Sequence, residues 1–432
     1  MISRFQRLLF SAFILCISTF TFAQDNYLVS YTLVKSHTKK TLNELWKAHK
    51  VPKIIAPIHY DVDIYEIIYK GKFVDGTMRQ ASGIYFVPKS DKALPYMMFG
   101  HGTEIQKGRQ ISDEDAQQGI CLGAAADGYI AIYPDYFGIG KGEGNHIYQH
   151  AESEANAYIY MLYAIDELNK KLNIRHNGQL FMTGYSQGGH SSFAAQKYLE
   201  MLNDPRFQVT ASSPMSGAYD MTGDQTKFMF QKYPRPFYLP YLLVSYQEAY
   251  KIIQTDNIYS IFKAPYDSIL PTFFEGDRLQ NMHKLNNLLP EIPSQVVKEE
   301  WIEKFLKDPA FGFADKLKMN NLTDWKPKAP VQLCYCKGDR EVSYLNSEVT
   351  YETMKKNGVV DIKLNNLSDR LDHNTCALFA VAATKAFFDR YRDHGKNPKM
   401  KDLSPMKKFL INIVKKQEEK KYEQSGHDKA RY

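Results

Sequence analysis

Ser186 lies in Gly184-Tyr185-Ser186-Gln187-Gly188, a serine held one residue away from a glycine on either side. A serine hydroxyl is a poor nucleophile at neutral pH. It needs an imidazole to take its proton, and that imidazole needs a carboxylate to fix its tautomer and stabilise its cation. Further along the chain come Lys337-Gly338-Asp339 and Leu371-Asp372-His373, in the order Ser…Asp…His. We assign Ser186 as nucleophile, His373 as base and Asp339 as the acid that orients it. Asp372 is adjacent to His373 and poorly placed to reach its ring. Asp220 is the rival acid, because it follows the next strand after the nucleophile helix. His190, one helical turn past Ser186, reads as a packed helix residue. Upstream, His101-Gly102-Thr103 ends an apolar run. A loop there can offer a backbone amide to a developing oxyanion, and the residue after the nucleophile offers another. The expected donors are Gln187 and either Thr103 or Gly102, with His101 a structural histidine that holds the loop. Tyr185, beside the nucleophile, is expected to touch substrate.

These residues need elements to hold them. Residues 179–183 read as a strand and Gln187–Leu202 as a helix, so the serine falls on a tight strand-to-helix turn above a sheet. Strands are expected at 54–70, 79–88, Leu94–Gly100, 129–133, 207–212, 331–336 and 362–367, with helices at 113–126, 152–172 and 375–392. Strands alternating with helices predict an α/β fold, a mostly parallel sheet with helices on both faces. The alternation breaks off at residues 221–325. That segment is dense in Tyr, Phe, Pro and Leu and reads as an inserted, mainly helical cap, flanked by a core of 24–220 and 326–395. Its aromatic stretch at 228–250 exceeds what a solvated loop carries, so Phe228, Phe230, Phe237 and Leu242 are expected to form the substrate wall.

Gly-Tyr-Ser-Gln-Gly-Gly at 184–189, Tyr-Pro-Asp-Tyr-Phe-Gly at 133–138, His-Gly-Thr at 101–103 and the late Asp339 and His373 together resemble the α/β-hydrolase superfamily. Within it the chain is most similar to the secretory lipase group of the lipase A type, over about residues 50–392. The resemblance implies an α/β-hydrolase fold, carboxyl-ester hydrolysis through an acyl-enzyme, no cofactor, and a cap inserted where the alternation breaks. A serine peptidase or an acyltransferase on the same fold is the alternative. A small-molecule or lipid ester is the expected partner.

Composition narrows the class further. Of 432 residues 44% are apolar and 24% charged, which excludes a disordered chain. The formal charge of +7 sits at the ends, because residues 396–432 hold 11 Lys/Arg against 5 Asp/Glu and residues 1–23 hold two arginines and no acid. The remainder, 24–395, is close to neutral, and no nucleic-acid surface is indicated. Residues 1–23 read as a signal peptide cleaved before Gln24, so the mature chain is expected to be secreted or periplasmic. The basic tail at 396–432 is expected to dock on the body or to be solvated. Peripheral contact with an anionic membrane is its other reading. Cys334 and Cys336 are too close along one strand to bridge each other, and either could pair with Cys376 or Cys121. No metal site is expected, since CxxC spacing and paired histidines are lacking.

Overall fold

The computed structural model describes residues 26–53, 55–255, 257–308, 311–394 and 405–424. The expected signal peptide and its cleavage site lie outside them. In chain order the strands are Leu28–His37 (β1), Val62–Lys72 (β2), Met78–Pro88 (β3), Leu94–Gly100 (β4), Ile130–Pro134 (β5), His176–Tyr185 (β6), Val209–Met215 (β7), Val331–Tyr335 (β8) and Ile362–Asn366 (β9). The longer helices are Lys39–Ala48 (α1), Ala116–Asp127 (α2), Ala151–Leu172 (α3), Gln187–Leu202 (α4), Tyr238–Tyr250 (α5), Glu299–Lys307 (α6), Gly312–Met319 (α7), Leu345–Lys356 (α8), His373–His394 (α9) and Pro405–Gln424 (α10).

The strands form one sheet in the order β1-β2-β3-β5-β4-β6-β7-β8-β9. The pairs β1–β2, β2–β3 and β3–β5 are antiparallel, and every pair from β5 to β9 is parallel. β4, β5 and β8 are buried along their whole length, as strands covered on both faces must be. Alternation along β6 divides its side chains between two layers. Leu180 and Met182 pack with Leu162, Ile165 and Phe193 of α3 and α4. Phe181 points the other way, to Leu122 of α2 and Phe388 of α9. This sandwich of helix, sheet and helix is the α/β architecture that the alternation implied.

Between β7 and β8 the chain leaves the sheet for the insertion, which holds α5, α6, α7 and shorter helical turns. It has its own apolar cluster, including Phe237, Leu243, Tyr246, Phe262, Phe273 and Phe313. Ile105, Tyr148 and Val342 of the body join that cluster, so the insertion is packed onto the sheet's carboxyl edge.

Three local outcomes differ from expectation. β1 and α1 precede the first expected strand. That strand starts at Val62, not at residue 54, because His59 and Tyr60 donate their N–H groups to Ala126 O and not to a neighbouring strand. In the helix expected from residue 113, Asp115 is the N-cap and accepts from Gln117 N and Gln118 N, whereas Asp113 pairs with Lys35 and His37. The C-terminal helix α10 docks on the body. Lys415 Nζ donates to Leu367 O at 3.1 Å, Ser368 Oγ meets Glu419, and Ile411 packs on the α2–α9 layer. Among the described residues no helix is long and apolar enough to cross a membrane.

Candidate active site

Ser186 closes β6 and opens α4, with φ 60° and ψ −121°. That conformation is unfavourable for a residue with a side chain, and it persists only where the surroundings enforce it. Here they do. Ser186 N donates to Met215 O of the neighbouring strand at 3.0 Å, and its carbonyl accepts from Gly189 N and His190 N. Gly188 must be glycine, because a Cβ there would lie 1.9 Å from Gly100 O. The serine is thus fixed by backbone packed on backbone at the centre of the sheet.

Asp339 sits on the loop after β8, and His373 opens α9 just after β9. His373 Nδ1 lies 2.6 Å from Asp339 Oδ2, with both side chains buried. Asp339 Oδ1 accepts the N–H groups of Glu341 and Val342 at 2.9 Å each, which leaves Oδ2 for the imidazole. Burial pulls the His373 pKa down, but the charge and hydrogen bond of Asp339 outweigh it and hold the imidazole above its ordinary 6.5. Tyr185, next to Ser186, donates its hydroxyl to His373 O at 2.5 Å and sets its ring 4.9 Å from the imidazole. Tyr185 therefore ties the backbone of His373 to the Ser186 turn, and it does not line the cavity at Ser186.

The acid and base segments are also joined covalently. Cys336, three residues before Asp339, is disulfide-bonded to Cys376, three residues after His373. Cys121 and Cys334 are free and buried. Gly338 sits so close to the loop between β9 and α9 that a Cβ would lie 2.4 Å from Arg370 O. The competing residues have other work. Asp220 accepts at Oδ1 from Thr222. Asp372 caps α9 by accepting from Thr375 N at 2.8 Å.

Above β4, His101 Nδ1 faces Gly102 O at 2.7 Å and Nε2 faces Asp135 O at 3.3 Å. Burial lowers its pKa to about 3, so it is a neutral strut between loops. Gly102 N donates to Gln117 Oε1 at 2.7 Å. Of the two upstream amides, Gly102 is therefore engaged, while Thr103 uses its hydroxyl on Tyr148. Gln187 is the first residue of α4, where backbone N–H groups lack an intrahelical acceptor.

A cavity of about 60 Å³ lies at Ser186, lined among others by Tyr148, Met221, Phe228, Tyr238, Leu242 and Glu341. Phe228 and Leu242, two of the four expected wall residues, line this cavity together with Ser186. The other two expected wall residues do not: Phe237 is fully buried inside the insertion's own core and Phe230 is 37% exposed. The insertion is tied to the Asp339 loop by Arg235 Nη2 and Glu341 Oε1 at 3.0 Å. No cluster of His, Cys, Asp and Glu suited to a metal ion occurs among the described residues.

Beneath the serine lies a buried polar group that the sequence reading missed. Glu154, on the first turn of α3, bonds His190 Nδ1 at 2.7 Å and Gln187 Nε2 at 2.7 Å, and all three residues are buried. A charged residue in the first turn of a helix is ordinarily solvated, and nothing in the spacing marked this one as internal.

No protein-family model matches the chain, and no curated protein matches it. Solved structures do. A Legionella pneumophila protein described as a candidate hydrolase is 28% identical, over 86% of this chain and all of that one, with a TM-score of 0.78. The rice cell wall degrading esterase LipA of Xanthomonas oryzae is 24% identical over 84% of this chain and 98% of its own, with a TM-score of 0.73. Candida antarctica lipase A is 14% identical over 88% and 84%, with a TM-score of 0.67. The fold is that of the α/β-hydrolases, and the chain resembles the esterases and lipases that share it.

Proposed function

We propose that the chain is a serine carboxyl-ester hydrolase. The observation that carries the reading is the junction at Tyr185. One residue from a serine on a strained strand-to-helix turn, it bonds the backbone of His373 and packs its ring against the imidazole that Asp339 contacts. In this reading Ser186 Oγ attacks the ester carbonyl while His373 Nε2 takes its proton. Asp339 holds Nδ1–H and stabilises the imidazolium. The N–H groups of Gln187 and Thr103 hold the oxyanion, the second because Gly102 N is given to Gln117. Collapse of the tetrahedral intermediate expels the alcohol, protonated by His373, and leaves an acyl-Ser186 ester. Water activated by the same imidazole then releases the acid.

The insertion acts as a cap in this scheme. Its aromatic residues meet Ser186 in a small apolar cavity, a setting that excludes water and strengthens the oxyanion contacts. The fold likeness to esterases and lipases supports ester over amide chemistry. The test is a panel of p-nitrophenyl esters set beside aminoacyl anilides, with wild type and Ser186→Ala. Esters should be cleaved in preference, and the variant should lose about 10⁴-fold or more in turnover while remaining folded. A folded Ser186→Ala protein with near wild-type turnover overturns the assignment, and a preference for anilides moves it to a peptidase.

A further inference from the structure

Gln187 carries two duties in one residue. Its backbone N–H faces the oxyanion in the reading above, and its side chain points the opposite way, into the protein. There the amide nitrogen is 2.7 Å from Glu154 Oε1 and 2.6 Å from His146 Nε2. His146 Nδ1 faces Phe137 O at 3.2 Å, an acceptor, so Nδ1 carries the proton and Nε2 is free to accept. Burial, with Arg278 nearby, holds the His146 pKa at about 3, in keeping with a neutral ring. Both hydrogens of the Gln187 amide are thereby used. The amide cannot flip, because its oxygen would then face a carboxylate and a bare ring nitrogen. Its oxygen is buried and has no partner among the described residues, so the orientation is set from the nitrogen side.

What sets it is Glu154. The residue has no solvent exposure, and its Oε1 also accepts from Gln149 N at 3.2 Å. Its Oε2 is 2.7 Å from His190 Nδ1, and the other nitrogen of that ring, Nε2, faces Asn320 O at 3.1 Å. The His190 ring is thus held at both nitrogens, by the Glu154 carboxyl on one side and a backbone carbonyl on the other. Glu154 and His190 therefore form a buried hydrogen-bonded pair under the Ser186 turn, and Glu154 Oε1 is the oxygen that faces Gln187. Burying such a pair is expensive, and it need not stabilise the fold more than an apolar pair of the same volume. It does fix one arrangement of donors and acceptors.

We propose that Glu154 is a positioning residue for acyl transfer: the buried Glu154–His190 pair, acting through the Gln187 side chain, aims the Gln187 N–H at the oxyanion. The proposal rests on the ester-hydrolase reading. Oxyanion donors contribute only when they point at where the charge develops, and small misplacements are costly. The turn at Ser186 is strained, and strained backbone persists only where its surroundings hold it, which is the part an anchor on the next residue would play.

Two variants test it. Gln187→Met keeps the backbone donor and the side-chain length but removes both side-chain hydrogen bonds, and leaves the Glu154–His190 pair in place. Glu154→Gln replaces one acceptor oxygen of the carboxyl with an NH2 group, which must then face a donor that Glu154 now receives. The readouts are kcat and KM for p-nitrophenyl acetate, and affinity for a trifluoromethyl ketone that forms a tetrahedral adduct on the serine. Both variants should lose about 10- to 100-fold in kcat with KM within about twofold, and ketone affinity should fall in parallel with kcat/KM. Folded variants with wild-type kcat/KM and wild-type ketone affinity overturn the proposal, whatever their thermal midpoints. If Glu154→Gln does not fold, Gln187→Met decides alone. A wild-type chain that cleaves no ester overturns the underlying reading and the proposal together, whereas an active wild type with unaffected variants overturns the proposal only.

Discussion

The two halves of the site are held by different means. Ser186 and Gln187 are neighbours in the chain, at the end of β6, with β4 and β7 on either side. Their surroundings are backbone contacts so close that only glycine fits, and beneath them lies the buried Glu154–His190 pair that bonds the Gln187 side chain. Asp339 and His373 are 34 residues apart, just past the ends of β8 and the edge strand β9. No central strand brackets them. There the constraint is supplied mainly by the Cys336–Cys376 bond, by two loop amides on Asp339 Oδ1, and by α10 docked against residues 367–370, with Tyr185 a direct tie to the serine turn. In this fold close packing holds the proposed nucleophile at the middle of the sheet, and cross-links hold the proposed acid and base at the margin.

The harshest way to break the base half is Asp339→Asn. We expect a loss of about 10³- to 10⁴-fold in kcat, with Asp220→Asn within a few-fold of wild type, because Asp220 bonds Thr222 and not the imidazole. Comparable losses at the two acids would exchange their roles. The pH profile adds a signed test. His373 must be neutral to act as base, and its pKa is raised, so the acid limb of kcat/KM should lie above the ordinary 6.5. Removing the Asp339 charge should move the residual limb to lower pH. A limb that stays in place would mean that another group titrates.

The same contrast explains what could be read from the sequence. The turn at Ser186 was legible because it is local: a glycine-flanked serine between a strand pattern and a helix pattern is a geometric statement within a few residues. The strand-end positions of Asp339 and His373 followed from order along the chain. Side-chain partners across the fold were not legible. Glu154 looked like any acid at a helix start, since burial is a property of what packs over it. Phe230 and Phe237 are as aromatic as Phe228, yet only Phe228 faces the serine, and composition carries no direction. β1 escaped notice because it is an edge strand with Val29, Leu33 and Val34 exposed, so it lacks the alternation that marks a half-buried strand.

A milder perturbation tests the cross-link. Cys376→Ser, or reduction of the wild type, should lower kcat by about tenfold at a temperature where the protein stays folded, since the acid and base segments gain slack. It should also lower stability by about 2–4 kcal/mol, measured in urea, because a bond between positions 40 residues apart constrains the unfolded chain. If the two halves are held independently, Cys376→Ser combined with Gln187→Met should lose the product of the two separate factors in kcat. A combined loss well short of that product would show that one set of restraints positions both halves.

The smallest effects belong to the insertion, and they separate wall from core. Phe228 and Leu242 line the cavity at Ser186, Phe237 is buried within the insertion, and Phe230 is partly exposed beside Phe305. Truncating a wall residue frees room for acyl carbons, each worth about 0.8 kcal/mol when buried, or roughly fourfold in rate ratio. Phe228→Ala and Leu242→Ala should therefore shift the ratio of long- to short-chain p-nitrophenyl ester turnover by about fourfold to tenfold, with little change in the short-chain rate itself. Phe237→Ala should cost about 3–5 kcal/mol of stability by leaving a cavity, with the ratio unchanged. Phe230→Ala should do neither. Chain-length preference that moves equally in all four variants would mean that the insertion tunes the site by its stability alone, and that the acyl wall is built from the body.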